Sequence, residues 1–335
     1  MRVTTTPLTR DDLYAHVFTR IFAHWHWFSY HFERKLRGLG EPFAEAIVDA
    51  CFEIEPALPG FSFRTLDRLV ALGGVERHEP HYEQLMQLLA EVHVFRQLVQ
   101  QTWPKAATFA LEPVLPGSAK NPEVTVQVGN DLYGVEVKSP LLLEYSRQRG
   151  QLPAQLPARS DYLGEFAAAV GGKDQVLLPR DNPVKDFLSS ADEKFAPFKA
   201  QHPNFSGALV IVWDDFIQEP LTSLVHPQAG LFTPNSFATD VSGTPLSFAN
   251  VDGVVLIRHL HQLRRAAGEQ PLADGLTGTL DYGGPDTFPP KVYVPNPWAA
   301  GLAGPLLDAL QGQLWNTLAG AEHTGVSDGI FWFDG

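Results

Sequence analysis

Asn121-Pro122-Glu123-Val124-Thr125-Val126, followed after a short turn by Tyr133-Gly134-Val135-Glu136-Val137-Lys138-Ser139-Pro140, is the stretch on which the reading of this chain depends. Val124 to Val128 and Leu132 to Lys138 are β-rich runs, and Gly129-Asn130-Asp131 between them reads as a hairpin turn. Alternate side chains of a strand share a face, so Glu136 and Lys138 point the same way while Val137 turns into the core. Glu123 lies just before the partner strand, where it can bring a second carboxylate to the same end.

Outward from this hairpin, Thr108 to Val114 is a further strand. The preceding hundred residues read as helices: Asp11 to Leu36, Pro42 to Glu55, Phe63 to Leu72 and Tyr82 to Gln101 carry apolar residues at helical spacing. The aromatic run Phe22, Trp25, Trp27, Phe28, Tyr30 and Phe32 would cover most of a helix surface, which predicts burial or an interface. Beyond Pro140, Gly150, Pro153 and Pro157 predict an irregular loop or flap through Arg159. Helix returns over Asn182 to Lys199, with Asp181 or Asn182 as cap and Pro183 in its first turn. Gly207 to Trp213 and Gly253 to Ile257 are apolar enough for buried strands, and Pro305 to Leu318 reads as a last helix. The expected organisation is an N-terminal helical region at 1–80 and a core at 81–260. The core would carry the flap at 140–160 and an insertion at 218–250, with a C-terminal extension at 261–335 packed on it.

Of the 335 residues, 44% are hydrophobic and 19% charged, the balance of a globular protein. Cys51 is the single cysteine, which excludes an intrachain disulfide and any cysteine-based zinc cluster. No run has the length of a membrane span and the N-terminal residues lack a signal-peptide pattern, so a cytoplasmic protein without membrane attachment is expected. The net charge of −13 opposes extensive contact with a phosphate backbone. The excess of acid lies after Gln201, whereas basic and acidic residues roughly balance between Lys138 and Lys199. A nucleic-acid contact is therefore expected only on a local face there.

Two carboxylates at one strand end, with the carbonyl of Val137, form a hard-oxygen site suited to Mg²⁺ or Mn²⁺. Phosphodiester hydrolysis needs an activated water and neutralisation of the charge that grows on the phosphate. Glu123 and Glu136 as metal ligands and Lys138 as catalytic lysine match those needs. The bland alternative is a surface hairpin whose Glu136 and Lys138 form a same-face pair worth roughly 0.2–1 kcal/mol.

Pro122-Glu123, a spacer through one turn and then Glu136-Val137-Lys138 resemble the PD-(D/E)XK nuclease superfamily, the restriction-endonuclease-like proteins. The ordered elements match over roughly residues 82–140, with the later helix and the Gly207 to Trp213 strand fitting the remaining core. The acid after proline is glutamate here, where aspartate is commoner in the family. The resemblance implies an α/β fold with a restriction-endonuclease-like core, a central mixed sheet flanked by helices. It implies a glutamate from the helix before the first strand in the metal site, for which Glu91 is best placed, ahead of Glu83 and Glu112. The implied protein is a Mg²⁺- or Mn²⁺-dependent nuclease acting on DNA in preference to RNA, with room for a protein partner or a homodimer. The alternative is a catalytically inactive member, or a generic α/β protein, serving as a protein-interaction module.

His24 and His26, two apart on a helix, would face different directions, unlike helical metal pairs. Gly171-Gly172-Lys173 lacks the other residues of a phosphate-binding loop and reads as a turn. Asp214 and Asp215 read as ordinary strand-end acids. Lys185 and Lys194 sit on the helix that, in the resembling family, commonly faces nucleic acid.

Overall fold

The computed structural model describes residues 7–141, 143–156, 159, 163–214, 216–287, 289–318 and 330–331. In chain order its elements begin with α1 (Arg10–Ile21), α2 (Ser29–Leu36), α3 (Pro42–Ile54), α4 (Phe61–Ala71) and α5 (Glu79–Gln100). Then come β1 (Ala107–Leu111), β2 (Val124–Val128), β3 (Asp131–Lys138), α6 (Leu143–Arg149), β4 (Ala154–Gln155), α7 (Leu163–Ala169) and β5 (Val176–Leu177). α8 (Asp181–Gln201), β6 (Phe205–Trp213), α9 (Gln218–Val225), β7 (Gly253–Arg258) and α10 (Leu260–Ala267) follow. The chain closes with β8 (Val292–Pro295), α11 (Gly304–Leu310), β9 (Gln313–Leu314) and β10 (Ile330–Phe331).

The chain divides into two compact units, one of residues 1–101 with 262–283 and the other of 102–261 with 284–335. The division falls after α5 rather than at residue 80, because α5 packs against α3 and α4. Part of the expected C-terminal extension, 262–283, likewise belongs with the helices; there Arg96 of α5 donates to the carbonyl of Leu280 at 3.2 Å. In this helical unit the predicted long helix from Asp11 to Leu36 is two helices, broken between Ile21 and Ser29. His26 causes the break: its Nδ1 accepts the Phe28 amide at 3.0 Å and its Nε2 bonds the carbonyl of Leu69 at 2.9 Å. A side chain that takes a local amide competes with the helix for it. The aromatic run thus wraps a corner instead of coating one helix.

The other unit is an α/β unit built on a seven-stranded mixed sheet, ordered β1-β2-β3-β6-β7-β8-β9. β1, β2 and β3 form an antiparallel meander, with Gly129 at φ 63° allowing the tight turn into β3. β6 runs parallel to β3, with Glu136 opposite Leu209 and Lys138 opposite Ile211. β7 continues in parallel beside β6, and both strands are buried along nearly their whole length, as their unbroken valine and isoleucine runs require. A small second sheet, β10-β4-β5, forms within the same unit.

Part of the expected flap at 140–160 is ordered as α6 and β4, and the segment expected as an insertion at 218–250 opens with α9. The last predicted helix stops at Leu310, because Gln311 turns left-handed at φ 53° and the chain enters β9 beside β8.

α8 is seated on β3 and β6 by two glycines. Gly134 and Gly207 lie opposite each other in the parallel register, and the rings of Phe195 and Phe205 fill the space above them. The buried face of the helix, Val184, Leu188, Ala191, Phe195 and Phe198, thereby comes down close to the sheet. That close approach sets the height at which Lys194 meets β3.

A candidate active site around Glu123, Glu136, Lys138 and Lys194

The site begins where β1 ends. Glu112 takes a left-handed conformation, φ 45°, and its amide donates to the carbonyl of Glu123 at 2.8 Å. This fixes the main chain of Glu123 at the mouth of β2, just after Pro122, whose missing N–H suits a strand start. The Glu123 carboxylate then crosses to β3: Oε2 accepts the amide of Val137 at 2.9 Å, and Oε1 lies 3.4 Å from Lys138 Nζ.

Glu136 lies on the α8 side of β3, fully buried. Its Oε1 receives two ammonium groups, Lys138 Nζ at 2.6 Å and Lys194 Nζ from α8. Its Oε2 is buried and has no hydrogen-bond partner among the described residues. Burying a carboxylate costs several kcal/mol unless charges compensate it. Here the two lysines that compensate the charge both meet the same oxygen, Oε1.

The Lys138 ammonium responds to two opposed influences. Burial is the largest and lowers its pKa, but the charges of Glu123 and Glu136 and their hydrogen bonds together outweigh it and hold the pKa above the ordinary lysine value. Lys138 is therefore a cation at neutral pH, fitted to neutralise negative charge rather than to accept a proton.

Of the residues expected at the site, Glu123, Glu136, Lys138 and the main chain of Val137 come together as the strand pairing requires. Glu91 does not join this cluster's bonding. It belongs to the helical unit, where Arg68 Nη1 donates to its carboxylate at 2.9 Å. Expecting Glu91 as a metal ligand overlooked the guanidinium at residue 68, placed on the adjacent helix α4. Glu83 is buried in the same helix, and Glu112 contributes its backbone as described.

Lys194 enters the site more fully than the sequence suggested. Lys194 stands three residues after Ala191 and four before Phe198, so it borders the stripe that α8 buries. A cation bordering an apolar stripe was the available signal for a buried acidic partner. Lys185, in contrast, faces Asp186 at 3.3 Å on its own helix.

Hard oxygen donors are what a magnesium or manganese ion requires, and the site offers the Glu123 and Glu136 carboxylates beside the Val137 main chain. The unpartnered Oε2 of Glu136 is the observation that fits a cation best. Among the described residues no group of three or more His, Cys, Asp or Glu side chains is placed to hold a metal, so any ion here would have two side-chain ligands and complete its shell otherwise.

Asp214 belongs to a separate charged cluster. Arg180 Nη2 donates to Asp214 Oδ1 and to Glu219 Oε2, both at 2.8 Å, and its guanidinium lies over the rings of Tyr145 and Trp213. Trp213 Nε1 also donates to Glu219 at 2.9 Å. This cluster ties α6, α8, the end of β6 and α9 together. Asp215 lies outside the described residues. Gly171 and Gly172 take φ values of 99° and 129° in the turn before β5, in keeping with a turn.

No family model, curated protein or solved structure matches the chain in comparisons with known proteins.

Proposed function

We propose that this protein is a Mg²⁺- or Mn²⁺-dependent phosphodiesterase of the restriction-endonuclease-like class, acting on nucleic acid, with DNA as the preferred substrate. The observation that carries the reading is the convergence of Glu123 and Glu136 on Lys138, with Glu136 Oε2 buried and unpartnered. Two acids from separate segments and a lysine on the same strand meet at one point, and a solvated surface hairpin would not bury one of the acids completely. The order of elements α5, β1, β2, β3, α8, β6, with β3 parallel to β6, supports the same class.

Glu123, Glu136 and the Val137 carbonyl would hold the ion, which when bound would polarise the phosphate and lower the pKa of water. The remaining chemistry belongs to the chain. Lys138 places a fixed positive charge beside both carboxylates and donates hydrogen bonds to an anionic phosphate oxygen as charge accumulates there. Glu123 holds the β3 main chain through the Val137 amide, which keeps the two acids in register. Glu136, buried on a strand between α8 and the neighbouring strands, is held in place by Lys138 and Lys194. Glu91, engaged by Arg68, is not part of the proposed set.

The net charge of −13 favours a second reading, a non-catalytic protein-interaction module on the same fold. The two are separated by one set of measurements. Single- and double-stranded DNA and RNA are incubated with the protein in Mn²⁺, with and without chelator, alongside Lys138→Ala. Cleavage by the wild type is expected to fall on the order of 10²–10³-fold in the variant, the range for loss of one positioned donor that stabilises developing negative charge. In parallel, Mn²⁺ at about 100 times its Kd should stabilise the wild type by about 2.7 kcal/mol and leave Glu136→Gln unmoved. Full activity of Lys138→Ala would sink the catalytic assignment; no cleavage together with no Mn²⁺ stabilisation would favour the interaction module.

A further inference from the structure

The two lysines at Glu136 are not equivalent. Lys138 touches both acids, from the same strand as one of them, and its place is dictated by the strand. Lys194 arrives from α8, and the hydrogen bond the structure shows for its ammonium is to Glu136 Oε1. A divalent cation drawn to the Glu136 carboxylate brings two positive charges to a group that already receives two ammonium ions. Like charges at such a separation repel, and the repulsion is poorly screened inside a protein. Withdrawal of one ammonium relieves that repulsion. The two lysines are almost equally exposed, at 24% and 25%, but Lys138 is also retained by Glu123, so Lys194 is the one with less to hold it.

We propose that Lys194 is a positioning residue that couples metal binding to phosphate binding: it occupies Glu136 until the cation enters, and the released ammonium then binds the anionic oxygens of the substrate phosphodiester. The inference rests on the metal-site reading above. Lys194 thus competes with the cation when substrate is absent and assists it when substrate is present. Because coupling is reciprocal, a phosphodiester that engages Lys194 tightens the metal, and the metal tightens the phosphodiester. The arrangement protects a buried carboxylate from lying uncompensated while the site is empty.

The test is calorimetric and does not require turnover. Mn²⁺ binding to the full chain is titrated with and without saturating dimethyl phosphate, a phosphodiester monoanion too inert to be consumed. In the wild type, dimethyl phosphate is expected to raise the Mn²⁺ affinity by at least about fivefold, the lower end of typical coupling. Lys194→Met keeps the length of the stem and removes the charge. It is expected to bind Mn²⁺ more tightly than the wild type and to lose the effect of dimethyl phosphate. Lys194→Arg restores a cation and is expected to recover much of the coupling, which a purely structural role for the side chain would not produce. Unchanged Mn²⁺ affinity and unchanged coupling in Lys194→Met, with Mn²⁺ binding abolished by Glu136→Gln, would overturn this inference and leave the metal site standing. Failure of the wild type to bind Mn²⁺ at all would overturn both.

Discussion

Glu136 shows how much depends on a single atom. Its carboxylate has one oxygen shared by two lysines and one without a partner, so removing either lysine shifts the balance between burial cost and compensation. The sign for Lys138 follows from its raised pKa. Its contribution to stability is fully present below the ordinary lysine value and is lost only at still more alkaline pH, as the folded-state group finally deprotonates. Lys291 provides the opposite case in the same unit. It is buried, its Nζ donates to the carbonyl of Gly284 at 2.9 Å, and burial pushes its pKa down from 10.5 to about 8. Between those two values the unfolded chain binds more protons at this position, so the Lys291 contribution to stability rises with pH. Urea unfolding of the wild type and Lys291→Met at pH 7, 9 and 10 should show their stability difference shifting in favour of the wild type as pH increases. A difference independent of pH would show that the buried amine is solvated well enough to titrate normally. None of this was legible in the sequence, where Lys291 is one lysine among prolines and its burial comes from contacts made only on folding.

At the scale of elements the sequence was most informative where periodicity and turn chemistry agreed. The Val124–Val128 and Asp131–Lys138 hairpin formed as its alternation and its Gly129 turn required, and β6 and β7 were recognisable from their unbroken apolar runs. The elements misread were those decided by distant partners. The break after α1 depends on a carbonyl at Leu69, and the end of α11 on a strand pairing with β8. Within the site, Glu123, Glu136 and Lys138 were legible because strand geometry alone aligns them. Lys194 was harder to place, because its role depends on how closely α8 approaches the sheet. That distance is set by Gly134 and Gly207. A Cβ at residue 134 would lie 2.5 Å from Phe205 Cζ, and one at residue 207 would lie 2.6 Å from Phe195 Cδ2. Gly207→Ala is expected to destabilise the protein by about 1–3 kcal/mol, the range for overpacking a core. Because relief requires Phe195 and its helix to move away, the same variant should also displace the neighbouring Lys194 from Glu136 and tighten Mn²⁺ binding, in the same direction as Lys194→Met. Stability within about 0.5 kcal/mol of the wild type, the ordinary range for a neutral surface substitution, would show that the helix is not seated in this way.

The charge of the whole molecule limits what its site can hold. The sheet unit carries 13 Lys and Arg against 22 Asp and Glu, a net of −9 on the part of the chain that contains Glu123, Glu136 and Lys138. Several of its basic side chains are committed to acids: Arg180 to Asp214 and Glu219, Lys199 to Asp252, and Lys120 to Glu193. Long duplexes are gripped by neutralising many phosphates, and this unit has few cations to spare for it. Lys138 and Lys194, in contrast, can neutralise about two phosphate charges between them, beside the proposed ion. The expected behaviour is therefore a weak dependence of nucleic-acid affinity on salt. With about two phosphates neutralised by lysine, the slope of log K against log salt should lie near −1.8 for duplex DNA. It is measured by titrating Lys138→Met and the wild type, both in Ca²⁺, with labelled DNA at a series of KCl concentrations. The wild-type slope should be steeper than that of the variant by about one lysine's share. A slope near −6 or steeper would require a continuous basic surface that the charge distribution of this unit does not provide, and would place the main nucleic-acid contacts away from Lys138.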